Sequence, residues 1–338
     1  EQAALLSQDA FCKRPEEIAQ AELYRLLPKQ AISTLEYAQT KRWVRKPDGS
    51  KTHWSLDFAP FSKPIMEALD NPEIPEVIVP KPSRCGGTMI VECYALKCLE
   101  YGPVGDIGWY LAGPEEVRSY ADRVVEPMFE DHDGVAEQLG KRATDNKKTF
   151  KRISGQVFEL LVMGGKTTTN RQFRLAVIDE PDTYAKAYRS NWLDQMRQRQ
   201  RALGSDRKLY ACAHADIGWT GGISQGWVQS TQGIAVLQCP ECGGHGSPYP
   251  TKYWPDVPRF RLDYERAPEG TPIHERLALA RSTAAMACPH CGVPLSNEQR
   301  IEMAKAVQFM HKGQALDIDA GIIGEPDANK TWGFWVHV

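Results

Sequence analysis

A short apolar run, a loop with two adjacent glycines and a long helical pattern follow one another between residues 77 and 101, and this order constrains the fold most. Residues 77–79 have the apolar character of a buried strand, and residues 88–101 have apolar positions at helical spacing. Small residues between a strand and a helix let backbone N–H groups surround phosphate oxygens. The order therefore predicts a phosphate-binding loop in an α/β sheet.

The eight residues of this loop follow the usual phosphate-loop pattern, G-x-x-x-x-G-K-[ST], only in part. Gly86 and Thr88 stand at the second glycine and at the hydroxyl for Mg²⁺, but Gly87 occupies the lysine position. The lysine of the loop stands at its first position, Lys81, from which a long side chain can reach the same phosphates, and Arg84 adds a second cation. Taken alone, the loop is equally compatible with an ordinary turn that contains a glycine pair.

A second apolar run, at residues 175–178, ends in the two adjacent acids Asp179 and Glu180, 91 residues after Thr88. An acid at the carboxyl end of a buried parallel strand can hold Mg²⁺ through water, and a neighbouring acid can polarise the attacking water. Two acids after a strand can also be a solvated helix start. The loop and the acids together favour a P-loop NTPase.

Four of the nine cysteines form two Cys-x-x-Cys pairs, each followed by glycine: Cys239 with Cys242, and Cys288 with Cys291. Two such pairs give the tetrahedral four-thiolate geometry of structural zinc. The 45 residues between the pairs exceed the common spacing, so we expect an insertion within the zinc ribbon. Reduced thiols without metal are the alternative.

Composition and patterning set the fold class. With 42% hydrophobic and 25% charged residues, the chain is an ordinary globular protein, and its longest apolar runs are too short to cross a membrane. A net charge of −2 means that nucleic-acid binding must come from local patches. The alternation of strands and helices predicts an α/β fold, a P-loop NTPase of the ASCE type with a mainly parallel sheet flanked by helices and a small zinc-ribbon segment. The predicted strands are residues 77–79, 107–112, 157–163, 175–178 and 209–213, and the predicted helices are residues 15–27, 88–101, 115–131, 190–203 and a last one from a capping box at Ser296 to about residue 309.

Four segments are predicted along the chain, which begins with Glu1 and which we interpret as a piece of a longer protein. They are an N-terminal arm (1–55), the P-loop motor domain (56–235), the zinc-ribbon segment (236–295) and a helix and strand that lead into a further domain outside the chain (296–338).

At this point the residues resemble a known family, the large terminase subunit of tailed bacteriophages, of the lambda type. The resemblance covers roughly residues 40 to 338. It rests on Phe58-Ala59-Pro60-Phe61, the strand that runs into the lysine-first loop, Asp179-Glu180, and the Cys-Pro-x-Cys-Gly knuckle. The lysine-first loop with an internal arginine is its most specific element.

The resemblance also implies roles for individual residues. Lys81 and Arg84 would act in catalysis by contacting the phosphates, with Glu180 as the catalytic base, and Thr88 and Asp179 would serve Mg²⁺. The remaining implied residues are Ser83, Gly86 and Gly87 for nucleotide binding, Phe61 for the adenine, Arg171 and Arg174 as arginines acting in trans, and Cys212-Ala213-His214 as the coupling motif. The coupling motif of the family usually contains a hydroxyl residue, which is absent here.

Such a protein would be an ATPase motor that uses ATP, Mg²⁺ and structural Zn²⁺ to move double-stranded DNA into a procapsid. Its implied partners are the small terminase subunit, the portal protein and further copies of itself, in the host cytoplasm and transiently on the procapsid, without a membrane. Nuclease activity is expected in a part outside this chain, because the acids after the ribbon occupy one short stretch. Two other interpretations stay open: a helicase-like ATPase with a zinc insertion, and a non-enzymatic zinc-ribbon protein that binds nucleic acid.

Overall fold

Helices cover both faces of one large sheet, and this arrangement explains the apolar character of its central strands. The computed structural model describes residues 31–46, 48–164, 171–184, 191–249 and 252–337. The predicted helix at residues 15–27 lies outside the described residues. Among the helices that are described, none has both the length and the apolar character needed to cross a membrane.

The strands of the described residues form one sheet of 11 strands and three small sheets. In chain order they are β1 (Trp43–Arg45), β2 (Lys51–His53), β3 (Glu76–Pro80), β4 (Ile107–Leu111), β5 (Asn146–Lys147), β6 (Phe150–Ile153), β7 (Gln156–Val162), β8 (Leu175–Asp179), β9 (Lys208–Ala213), β10 (Gly233–Gln238), β11 (His245–Gly246), β12 (Arg261–Asp263), β13 (Ala285–Ala287), β14 (Pro294–Leu295), β15 (Gln308–Met310), β16 (Ala315–Asp317), β17 (Gly321–Ile323) and β18 (Thr331–Trp335). The order in the large sheet is β11-β10-β18-β3-β9-β8-β4-β7-β6-β5, and β15 pairs with β10.

The central strands of the large sheet, from β10 to β7, all run parallel. Strands β3, β4, β8 and β9 are buried along their whole length, as expected for strands between two layers of helices. The prediction of a mainly parallel α/β sheet is confirmed, and each end of the five predicted strands lies within one residue of its predicted position.

The α-helices of the described residues are α1 (Thr34–Thr40), α2 (Ser62–Asp70), α3 (Gly87–Tyr101), α4 (Pro114–Tyr120), α5 (Glu126–Glu130), α6 (Asp133–Ala136), α7 (Trp192–Gln200), α8 (Gly222–Val228), α9 (Ile273–Thr283) and α10 (Asn297–Lys305). The helix predicted over residues 115–131 is divided, because a π-helical turn at Ala121–Val125 separates α4 from α5. Pro127 near the start of α5 has no N–H to donate, so a regular ladder of hydrogen bonds cannot continue through it.

The last predicted helix has the expected start but a different end. The capping box at Ser296 is confirmed, since its side chain accepts a hydrogen bond from the N–H of Gln299. The predicted end at residue 309 is wrong, because α10 stops at Lys305. Residues 308–310 form β15, whose backbone pairs with the edge of β10 instead of extending the helix.

The first described segment packs on α3, the helix that follows the phosphate loop. The Arg42 guanidinium contacts the Glu92 carboxylate of α3 at 2.6 Å, with both side chains less than a tenth exposed. Tyr37 of α1 is fully buried, and Arg45 forms an ion pair of 2.6 Å with Asp131. Residues of the predicted arm therefore stabilise the helix that follows the phosphate loop. The boundaries of the four predicted segments stay predictions.

A buried charge cluster links the amino end of β3 to a helix and to a neighbouring strand. Glu76 is 1% exposed and accepts hydrogen bonds from Arg197 (2.7 Å), Arg207 (2.8 Å) and Thr331 (2.6 Å). Burial by itself would raise the pKa of Glu76, but the hydrogen bonds from Arg197 and Thr331 outweigh it and hold the pKa below its ordinary value. The cluster joins α7, β18 and β3 through one carboxylate.

We predict that Glu76→Gln lowers the free energy of unfolding by about 3 kcal/mol at neutral pH, because it leaves two cations beside a neutral amide. Since the pKa of Glu76 is depressed in the folded protein, its contribution is fully present above the ordinary pKa of about 4.3 and is lost as the pH falls through the folded value. Urea unfolding at pH 7 and below pH 4 measures both effects. Glu73→Gln, on the exposed turn just before β3, is the control, and an equal loss in the two variants would contradict the prediction.

Candidate functional site

The loops that follow β3, β8 and β9 meet at one edge of the large sheet, here called the carboxyl edge. These three strands are neighbours and parallel, so their carboxyl ends necessarily lie side by side. The predicted phosphate loop follows β3, the two acids lie at the carboxyl end of β8, and the predicted coupling motif lies at the carboxyl end of β9. The topology therefore brings three segments together that are far apart in the sequence.

The phosphate loop leaves β3 at Lys81, whose N–H donates to the carbonyl of Ala213 at 2.9 Å. Arg84 and Gly86 have left-handed backbone angles, with φ of 60° and 91°, which turn the chain sharply into α3. A Cβ atom on Gly87 would overlap the aliphatic stem of Lys81. Glycine at the usual lysine position is therefore what allows a lysine at the first position to cross the loop.

The ammonium of Lys81 forms an ion pair of 2.6 Å with Glu180. Lys81 is 7% exposed, whereas the Glu180 side chain is about a third exposed at the surface of the site. Burial by itself would lower the pKa of Lys81, but the bonded Glu180 and the nearby Asp179 raise it to about 12. The lysine is thus charged and held next to the second of the two predicted acids.

Asp179, the last residue of β8, faces the start of α3. Its carboxylate accepts a hydrogen bond of 3.1 Å from the Thr88 hydroxyl. Burial and the adjacent charge of Glu180 raise the pKa of Asp179 to about 6. A hydroxyl and a carboxylate at this distance are oxygen ligands of the kind that Mg²⁺ takes, directly or through water. The two residues therefore fit the predicted magnesium role.

Residues at the carboxyl end of β9 contact both acids. The Cys212 thiol donates to the Asp179 carboxylate at 3.4 Å and lies 3.8 Å from the Thr88 hydroxyl. The backbone N–H of His214 donates to Glu180 at 3.0 Å. A thiol is thus the side-chain donor to Asp179 on this strand, and Cys212 and His214 of the predicted coupling motif both contact the site.

The remaining predicted residues are spread around the edge and beyond it. Ser83 and Arg84 are exposed at the tip of the loop, and Phe61 is buried at the start of α2. Arg171 and Arg174 precede β8 and so lie toward its amino end, away from Asp179. Arg171 forms an ion pair with Glu159. The adenine role of Phe61 and the role of either arginine in trans stay predictions.

The two cysteine pairs come together as predicted. The four Sγ atoms lie within 4.8 Å of one another, with separations of 3.9 Å between Cys239 and Cys291 and 3.7 Å between Cys242 and Cys288. Tetrahedral zinc with four Zn–S bonds of about 2.3 Å separates its sulfurs by about 3.8 Å. The glycine after each pair has a left-handed φ, 74° at Gly243 and 72° at Gly292, so that each knuckle can close. The donor set fits one structural zinc ion.

Comparison with known proteins adds to this geometry. The family described as phage terminase large subunit gpA, ATPase domain, matches residues 48–308. This chain belongs to that family. Among solved structures, the chain is similar to the crystal structure of the HK97 bacteriophage large terminase, with 17% sequence identity and a TM-score of 0.47. The match covers 81% of this chain and 50% of that one, so the chain spans half the length of that terminase. Among curated proteins, none matches.

Two residues of this terminase ATPase domain contact the site without having been predicted. The Tyr210 hydroxyl donates to the carbonyl of Gly87 at 2.7 Å and fixes the start of α3. Asp182, two residues after Glu180, is 3% exposed and accepts backbone hydrogen bonds from the segment that follows β9. No local sequence signal indicates the second role, because the N–H groups that Asp182 accepts from lie 34 to 41 residues later in the chain.

We predict that Gly87→Ala displaces Lys81, because its new methyl group and the lysine stem require the same space. Nucleotide affinity should fall at least tenfold while the fold is retained, as measured by titration with a fluorescent ATP analogue and by circular dichroism. Gly155→Ala is the control: this glycine lies in a hairpin turn with a positive φ, and a Cβ atom there would meet nothing within 4 Å, so it tests backbone strain away from the site. Equal affinities in both variants would contradict the assigned path of Lys81.

We predict about one zinc ion per chain by elemental analysis, since one set of four thiols comes together among the residues that the structure describes. Cys239→Ser and Cys288→Ser should each release the metal and lower the temperature at which unfolding begins. Cys98→Ser, at a buried thiol of α3 outside the cluster, is the control that should keep the zinc. A metal-free preparation with unchanged unfolding would contradict the site.

Proposed function

We propose that this chain is the motor of a DNA-packaging terminase, which hydrolyses ATP to move double-stranded DNA into a procapsid. The family to which the chain belongs supports the ATPase part. The observation that carries the proposal is the pairing of Lys81 with Glu180 and of Thr88 with Asp179 at one edge of a parallel sheet. These are a phosphate-binding cation, a base, a hydroxyl and a metal-side acid, each within hydrogen-bonding distance of its partner.

In the proposed reaction, a bound nucleotide competes with Glu180 for the Lys81 ammonium. Once Lys81 binds the phosphates, the Glu180 carboxylate is released to accept a hydrogen bond from the attacking water and to orient it. Arg84, at the exposed tip of the loop, adds a second positive charge beside the phosphates. Thr88 and Asp179 would hold a magnesium ion, which supplies positive charge beside the phosphates when bound. The residues thus act by position and charge rather than by covalent chemistry.

The proposed partners follow from the proposed activity. They are double-stranded DNA, the small terminase subunit, the portal of the procapsid and further copies of this chain, in the host cytoplasm and transiently on the procapsid. Arg171 and Arg174 are the proposed residues that act on the site of a neighbouring copy. They lie on the amino side of β8 and therefore away from the site of their own chain, as a role in trans requires.

The two other functions predict different measurements. A helicase-like ATPase would separate the strands of a duplex during hydrolysis, whereas the proposed motor would move along the duplex without separating them. A zinc-ribbon protein without enzymatic activity would bind nucleic acid and leave ATP unchanged. Turnover of ATP that duplex DNA stimulates, without strand separation, is the expected result.

We predict that Glu180→Gln and Asp179→Asn impair different steps. Glu180→Gln removes the base but keeps the shape, so ATP should still bind while kcat falls by about 100-fold or more. Asp179→Asn should instead weaken the Mg²⁺-dependent binding of ATP and lower kcat together, and Lys81→Ala should nearly abolish hydrolysis. Steady-state hydrolysis and equilibrium binding of ATP, each with and without Mg²⁺, separate the three effects.

The matched control is Glu269→Gln, an identical change at an exposed residue between the cysteine pairs, which should leave both measurements unaltered. Near-normal hydrolysis by folded Lys81→Ala would show that the loop is assigned wrongly. The same change in affinity for Glu180→Gln and Asp179→Asn would show that the acids have no separate roles.

A further inference from the structure

Asp182 is a buried acid that the proposed chemistry leaves without a role. Its carboxylate accepts three backbone hydrogen bonds, from Ile223 at 2.6 Å, from Asp216 at 3.0 Å and from Ile217 at 3.2 Å. A buried carboxylate that is satisfied by backbone N–H groups fixes the backbone that donates them. Asp182 therefore determines where another segment of the chain lies.

The three N–H groups belong to both ends of one loop, residues 216–223, here called the Trp219 loop. This loop begins just after the predicted coupling motif and ends at the start of α8. Gly222 has a φ of 57°, and a Cβ atom there would collide with the Asp182 carboxylate. The loop thus closes around a single side chain that comes from the turn after β8.

Trp219, in the middle of the Trp219 loop, forms an aromatic cluster with Tyr253 and Trp335. The Trp219 ring is 5.1 Å from the ring of Tyr253 and 5.1 Å from that of Trp335, between centroids. Tyr253 lies between the two cysteine pairs, and Trp335 ends β18. The ammonium of Lys252 lies over both the Trp219 and the Tyr253 rings. The loop therefore links the turn after β8 to the segment between the two cysteine pairs and to β18.

Asp182 lies two residues after Glu180, in the same turn. Glu180 has a left-handed φ of 52°, which is unusual for a residue with a side chain. The turn Pro181–Thr183 follows at once, and the Thr183 hydroxyl donates to the Glu180 carbonyl at 2.7 Å. A backbone in this conformation is kept only where its surroundings fix it. The hydrogen bonds of Asp182 therefore hold the turn that directly follows Glu180.

We infer that Asp182 is a positioning residue that fixes the Glu180 turn to the Trp219 loop, so that the loop responds when a nucleotide takes Lys81 away from Glu180. The response reaches Tyr253 and Trp335 through the aromatic cluster. This inference rests on the proposed function, because it requires a nucleotide at Lys81. It assigns to Asp182 a role in orienting the base and in transmitting its state, without contact to the substrate.

The test compares tryptophan emission before and after addition of AMP-PNP with Mg²⁺, in the unaltered chain and in Trp219→Phe. A nucleotide-dependent change in emission should appear in the unaltered chain and fall by at least half in Trp219→Phe, although the chain has nine tryptophans. Binding of the nucleotide is measured separately, by calorimetry. Absence of binding would overturn the proposed function and the inference with it, whereas binding with the same change in emission in both proteins would overturn the inference alone.

Two further variants test the contact between Asp182 and the Trp219 loop, one on each partner. Asp182→Asn weakens the acceptor, and Gly222→Ala places a methyl group against it. Both should keep the affinity for AMP-PNP within about threefold, lower kcat at least tenfold and lose the emission change that depends on Trp219. Asp206→Asn, the same substitution at an exposed residue, is the control and should keep all three values.

A purely structural role would instead lower melting temperature and affinity together and leave the emission change proportional to the bound fraction. That result in a folded Asp182→Asn or Gly222→Ala would overturn the inference. If neither variant folds, the comparison of the unaltered chain with Trp219→Phe still decides, because it requires only the conservative change at the reporting ring.

Discussion

The ion pair between Lys81 and Glu180 is the interaction on which the site depends. Without a nucleotide, a buried ammonium needs a compensating charge, and Glu180 supplies it at 2.6 Å. In the proposed reaction, the same pairing keeps Glu180 occupied until the phosphates of a nucleotide bind Lys81. The parallel register of β3, β9 and β8 makes this arrangement possible, because it places the ends of three distant segments within reach of one another. The geometry of the sheet therefore determines which charges meet in the site.

The unusual phosphate loop follows from the space around the lysine. A lysine that starts at the end of β3 has to pass over the beginning of α3, and only glycine at position 87 leaves room for its stem. The cation is thus delivered to the site from the strand rather than from the helix. The Lys81 stem and a side chain at position 87 would require the same space. This explains why the loop departs from the usual pattern at both positions.

The local parts of this molecule could be predicted from the sequence, and the long-range parts could not. Central strands, the loop, Asp179 with Glu180 and the two cysteine pairs each carry a signal within a few residues. The insertion of β18 between β10 and β3 and the end of α10 at Lys305 depend on strand pairing, which the periodicity of a single segment does not encode. The donor role of the Cys212 thiol could not be predicted for the same reason, since its partner Asp179 lies 33 residues earlier in the chain.

The position of the cysteine cluster limits its effect to the segment between β10 and β15. The chain leaves β10, pairs with it again briefly through β11 and returns to it through β15, with the first cysteine pair before β11 and the second after it. A metal bound to the four thiolates would close this long excursion and would stabilise it by restricting the unfolded chain. The strands that carry Lys81, Asp179 and Glu180 do not depend on this closure, because their neighbours are strands of the same parallel sheet. Loss of a metal bound there should thus free the excursion, including Tyr253 and its contact with Trp219, before it disturbs the carboxyl edge.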